Sequence, residues 1–259
     1  MVVRKIIPFA IAFFALSFQS CDKEPTKKPV DNSEKLFSVE FEPHVGENNL
    51  PPLGVNDFMS KFGGESFTVN NWAMLLSDFS LITESNDTVI LGDGYQWVNF
   101  RANRTSFDYR DIPTGNYKGI YFRLGLDSNI NHGDPTIWPS DHPLNPNLTG
   151  LHWGWSGGYI FHAFEGMYKA NDSAASSGFS FHTATMEFVS EYFLPLNFEV
   201  GSNSLKAVVT ADAQQYFENP NGILLKEKAV SHSAGESEKI LMNGLLSNAQ
   251  SVFVLKIVE

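Results

Sequence analysis

Along most of the chain, apolar and polar side chains alternate with period two. The run Leu36-Phe37-Ser38-Val39-Glu40-Phe41-Glu42 sets the pattern, that of a strand with one buried and one wet face. It recurs at residues 67–69, 72–82, 88–91, 96–100, 117–126, 159–168, 179–185, 194–200, 205–211 and 251–258. Turn residues separate these runs, among them Asn86-Asp87, Gly92-Asp93-Gly94, Pro113-Thr114-Gly115-Asn116 and Gly157-Gly158. Only two stretches read as helix: residues 213–218, with Asp212 as cap, and 239–246 after Gly235-Glu236-Ser237. Many short strands with one or two short helices predict an all-β fold, a β-sandwich or barrel-like single domain with long loops.

One long segment breaks the pattern. Residues 127–150, DSNINHGDPTIWPSDHPLNPNLTG, carry four prolines and Trp138, and read as a loop laid over the body. At its start Asp127, Asn129, Asn131 and Asp134 space oxygen donors in the manner of a calcium loop. The glycine falls one place late for an EF-hand and no closing glutamate follows. Asx turns account for the same residues equally well.

The N-terminus asks for a separate reading. Arg4 and Lys5 precede a short apolar run, residues 6–18, and the single cysteine, Cys21, follows. The run is too short to span a bilayer and fits the core of a signal peptide, residues 1–20. Cys21 then reads as a lipidation site, with residues 21–34 as a polar, flexible tether. The acidic Asp22-Lys23-Glu24 resembles the surface-export signal of Bacteroidota lipoproteins. The expectation is an outer-membrane lipoprotein of the cell envelope, periplasmic or surface-exposed, with its β domain over residues 35–259.

Composition narrows the partners. With no second cysteine, the domain must be held by its core, and 22 phenylalanines supply one. Net charge is −11, so the domain repels a phosphate backbone and nucleic acid is excluded as a partner. No G-x-S-x-G elbow, phosphate-binding glycine loop or H-x-x-x-H pair occurs, which argues against hydrolases, nucleotide binding and zincins and for a protein that is not an enzyme.

What remains is aromatic and imidazole chemistry. The segment Leu151-His152-Trp153-Gly154-Trp155-Ser156-Gly157-Gly158 crowds two tryptophans and a histidine into one turn, and seven histidines are scattered along the chain. Three readings stay open on the residues alone: indoles packed over the core, an aromatic surface for a glycan or protein partner, or imidazoles holding copper beside an indole.

Several motifs in order resemble the MbnP-like family, methanobactin-associated copper-binding proteins. Ile112-Pro113-Thr114-Gly115-Asn116-Tyr117 resembles its I-P-x-G-x-Y, and Phe122-Arg123-Leu124-Gly125-Leu126-Asp127 its F-x-I-G-V-D. The turn with Tyr159-Ile160-Phe161 and Glu165-Gly166 resembles W-x-W-x-x-G-Y-x-F…E-G, with Leu151 in place of the usual methionine. Phe179-Ser180-Phe181-His182 resembles F-x-F-H. The resemblance implies an all-β copper-binding domain, Cu(I) favoured, with His182, His152 and His44 as ligands. It also implies that Trp153 or Trp155 is oxidised to kynurenine by a partner di-haem enzyme related to MauG.

Overall fold

The computed structural model describes residues 35–50, 53–54, 57–154, 157–233 and 236–258. The signal segment, Cys21, the tether and Trp155 lie outside the described residues. Fourteen strands are described. They are β1 (Phe37–Val45), β2 (Asn48–Asn49), β3 (Met59–Ser60), β4 (Ser66–Thr83), β5 (Thr88–Ile90), β6 (Gln96–Asn99) and β7 (Ser106–Tyr109). After them come β8 (Gly115–Leu124), β9 (Ile160–Lys169), β10 (Ser177–Ala184), β11 (Ser190–Val200), β12 (Leu205–Asp212), β13 (Val230–Ser231) and β14 (Phe253–Val258). Four α segments accompany them: α1 (Ser128–Asn131), α2 (Pro146–Thr149), α3 (Gln215–Glu218) and α4 (Glu236–Ala249). No helix among the described residues is long and apolar enough to cross a membrane.

The strands form two mixed sheets and no closed barrel. The smaller runs β14-β12-β1-β2, with β7 also on β1; the larger runs β11-β8-β4-β9-β10-β13, with β3, β5 and β6 on β4. Alternation drives the packing as the sequence leads one to expect: in β1, Phe37, Val39 and Phe41 are buried while the residues between them are half-exposed. These side chains meet Phe79 and Phe122 of the larger sheet, together with Tyr109 of the neighbouring strand β7, in one core.

The larger sheet is covered on its other face as well. Ala73, Leu75, Phe161 and Ala163 from β4 and β9 pack with Leu126, Leu144 and Leu151 in a second core. The lid is the segment that follows Leu126. It forms α1, a 3-10 turn over Pro135–Ile137 and α2, single turns that alternation could not announce. Trp138 stacks flat on His142 at 4.2 Å, and His142 Nε2 contacts Asp93 at 2.8 Å. Burying apolar area on both faces explains why β4 reads as a nearly continuous apolar run.

The oxygens expected to hold calcium serve this lid instead. The Asp127 side chain caps α1 by accepting from the backbone N–H groups of Asn129 and Ile130. Asp134 accepts from the Thr136 backbone and hydroxyl, which holds its carboxyl below the usual carboxylate range. Asn131 is buried and accepts from Tyr159 N at 2.8 Å. Asn129 alone is exposed without such a duty. The turn chemistry of this loop is that of caps, not of a convergent cage.

Candidate metal centre

The turn that opens β9 splits its residues to two sides. Backbone bonds from Trp153 N to Gly158 O and from Ile160 N to Leu151 O make it a tight antiparallel extension of the strand. Successive side chains of extended backbone point to opposite sides. His152 therefore lies against Tyr159, ring centroids 4.6 Å apart, at a surface pocket of about 370 Å³ shared with Thr136 and Asn145. Trp153 points the other way, 41% exposed, with its ring 6.1 Å from that of His182 and 6.5 Å from that of His232.

His182 and His232 meet because β10 and β13 run parallel in register. Ser180 pairs with Val230 and Phe181 with Ser231, so the next residues of both strands stand side by side on one face. Nδ1 of His182 lies 3.0 Å from Nδ1 of His232. On the antiparallel side Ser180 pairs with Glu165, which puts that carboxylate diagonally across from His182. Oε1 of Glu165 contacts His182 Nε2 at 2.5 Å, and Oε2 accepts from Asn71 Nδ2 at 3.2 Å. The hydrogen bond from His182 holds the Glu165 carboxyl below the usual range against the opposing effect of burial.

The surroundings lock this arrangement. The Ser233 hydroxyl donates to the His182 carbonyl at 2.7 Å and accepts from Ala184 N. The Glu238 carboxylate on α4 accepts from the backbone N–H of His232 and from the Ser231 hydroxyl. Beneath the sheet, His162 faces inward, stacked on Tyr216 at 5.1 Å. Burial first, and then the neighbouring His182, push its pKa down to about 3, so it is neutral at any ordinary pH.

Among the described residues, His182 is the one of the three histidines expected as ligands that meets a tryptophan and a second imidazole. The Nδ1 lone pair of His152 is taken by Gly154 N at 2.9 Å, leaving Nε2 as the N–H of the neutral ring. His44 sits in the other sheet, across from Asp212 and Asn49, with Nε2 3.8 Å from the Glu42 carboxylate. His232 takes the place beside His182 that the sequence had assigned to His152 and His44. Its strand has two residues, too few to show alternation, and its partner lies fifty positions away.

The donor set is narrow. Among the described residues, no group of three or more His, Cys, Asp or Glu side chains is placed to hold a metal ion. A protein-ligated structural zinc site takes four donors, and the pair does not meet that demand. Two imidazoles suit an ion content with low coordination, as Cu(I) is. Two nitrogens each about 2 Å from a metal lie roughly 3.3 Å apart at a tetrahedral angle and roughly 4 Å apart in line, so the pair at 3.0 Å would open by about 0.3–1 Å, within reach of side-chain torsions.

Comparison with known proteins agrees with this architecture. The family model described as MbnP matches residues 34–234, a span that includes Trp153, Glu165, His182 and His232. Among solved structures, MbnP from Methylosinus trichosporium is similar, with a TM-score of 0.53 and 12% identity over 87% of this chain and 99% of that one. At that identity the likeness speaks for the fold alone. None of the curated proteins compared with the chain matches it. The family match covers most of the chain and does not depend on the structural likeness: the chain belongs to the MbnP family.

Proposed function

We propose that this protein is a copper-binding protein with no turnover of its own, holding one Cu(I) at His182 and His232 beside the Trp153 indole. The observation that carries this reading is the 3.0 Å approach of two Nδ1 atoms under an exposed indole. Family membership supports a copper-related role. Bound copper would supply a soft electrophilic centre; His182 and His232 would furnish the donors, and Trp153 would shield one side from water. Lipidation at Cys21 and an outer-membrane position in the cell envelope belong to the same proposal.

Trp153 is the tryptophan we assign for oxidation by a partner di-haem enzyme. Its ring is reachable from outside, and kynurenine formation would add an aromatic amine and a ketone next to the imidazoles. Mass spectrometry of protein from its native host tests this part. Kynurenine appears as the net gain of one oxygen and loss of one carbon at Trp153, and an intact indole removes the modification from the reading.

The copper assignment itself is tested by titration against a chromophoric Cu(I) chelator. The expected result is about one Cu(I) per chain, with His182→Ala weakening it at least about tenfold, roughly 1.4 kcal/mol. Unchanged stoichiometry and affinity in that variant overturn the assignment.

A further inference from the structure

Glu165 is the group in this site whose part is still unexplained. A neutral imidazole has one N–H and one lone pair, and its neighbours decide which nitrogen carries which. Nε2 of His182 faces Oε1 of Glu165 at 2.5 Å, and a carboxylate oxygen only accepts, so the proton belongs on Nε2. The lone pair then falls on Nδ1, the atom facing His232. The other tautomer would set a lone pair against the negative carboxylate.

The carboxylate is itself held. Asn71 donates to Oε2 at 3.2 Å, so a turn of the Glu165 side chain away from His182 would break a second bond. Asn71 is the direct cross-strand partner of Glu165, at the irregularity between Val69 and Asn71 where β4 meets β9. The following residue must be glycine: a Cβ on Gly166 would lie 1.8 Å from the Thr68 carbonyl oxygen. The Glu-Gly pair thus places a carboxylate and permits the close strand approach that braces it.

We propose that Glu165, braced by Asn71, is a positioning residue that holds His182 in its Nε2–H tautomer and so presents the Nδ1 lone pair to a metal ion. In the metal-free protein His232 donates its Nδ1–H to that lone pair. His182 and His232 would hold a metal ion through their Nδ1 atoms, the His232 proton having passed to its own Nε2 or to water. The purpose of this device rests on the copper reading, whereas the tautomer follows from the hydrogen bonds alone. Carboxylates that fix the second nitrogen of a ligating histidine commonly contribute about 10–100-fold to metal affinity.

Two independent measurements test it. The first is nitrogen-detected NMR of histidine side chains in the metal-free protein. His182 is expected as the Nε2–H tautomer in the wild type and as a tautomer mixture in Glu165→Ala. The second is Cu(I) affinity by chelator competition: Glu165→Ala should lose about 10–100-fold and Asn71→Ala clearly less. Glu165→Gln should fall between them, because an amide offers one oxygen to two donors. It also serves as the conservative variant should Glu165→Ala fail to fold. His182 found as Nδ1–H in the wild type, or a folded Glu165→Ala with affinity within about twofold of wild type, overturns the proposal. If the wild type binds no Cu(I), the copper reading fails on its own and the NMR result alone decides the positioning claim.

Discussion

Among the described residues, two places join a tryptophan, a histidine and a carboxylate, and they use the same parts to different ends. In the lid, His142 lies flat on Trp138 with planes 12° apart, gives Nε2 to Asp93 and accepts from Leu144 N at Nδ1. Both ring nitrogens are bonded within the lid's own anchoring network, and the cluster pins a loop. At the outer face of β10, His182 gives Nε2 to Glu165 but turns Nδ1 toward a second imidazole, with Trp153 tilted at 50° instead of stacked. Residue types do not separate the two clusters. What separates them is whether the last lone pair is spent on a fixed backbone N–H or on a partner that can be displaced.

The largest expected effect sharpens a third setting against these two, the inward His162 on the other face of the same sheet. Its folded pKa of about 3 lies below the ordinary 6.5. Below 6.5 the unfolded chain therefore takes up a proton that the folded chain refuses. Stability should fall as pH drops from 6.5 toward 3, by up to about 1.4 kcal/mol per pH unit. The depressed carboxyls of Glu65 and Glu165 add to the loss at its acid end, below their usual range. Denaturant unfolding at pH 7, 6 and 5 should show a shallower decline in His162→Leu. Equal slopes would mean that His162 takes up its proton without unfolding.

A smaller effect probes the joint between the lid and the tryptophan turn. Gly158 has φ +68°, and a Cβ there would lie 2.7 Å from Oδ1 of Asn131, the atom that binds Tyr159 N. Gly158→Ala should cost about 2 kcal/mol, read as a lowered unfolding midpoint. A full-strength midpoint would show that the lid and the turn are not mechanically linked.

The smallest effect is also the sharpest discriminator. His142→Ala removes bonds to Asp93 and Leu144 and should cost about 1–2 kcal/mol of stability while leaving Cu(I) affinity unchanged. His182→Ala also removes two bonds of its ring and should cost a similar amount of stability, but it alone should lose Cu(I) affinity. Copper loss in both variants erases the distinction between the clusters.

Period-two alternation made the all-β class legible, because one buried face per strand leaves that mark at Phe37, Val39 and Phe41. It also located the lid, as the absence of any such mark. It could not resolve β4, read as two pieces but continuous over Ser66–Thr83, because bulges there shift the side-chain phase. For the site, the F-x-F-H motif pointed to His182 and the crowded turn to Trp153. His152 misled because adjacency in sequence places it on the opposite side of the strand from Trp153. His232 stayed hidden, and Glu165 stood in a motif without a role, because each reaches His182 across a strand pairing, a relation local pattern does not encode.

The parallel pairing of β1 with β12 carries a kinetic consequence. Phe37 aligns with Leu205 and His44 with Asp212, so the earliest strand of the domain waits for one of the last before its sheet can close. Such long-range closure slows folding. That layer is complete only once residues 205–212 and 253–258 have joined a strand laid down near the start of the domain.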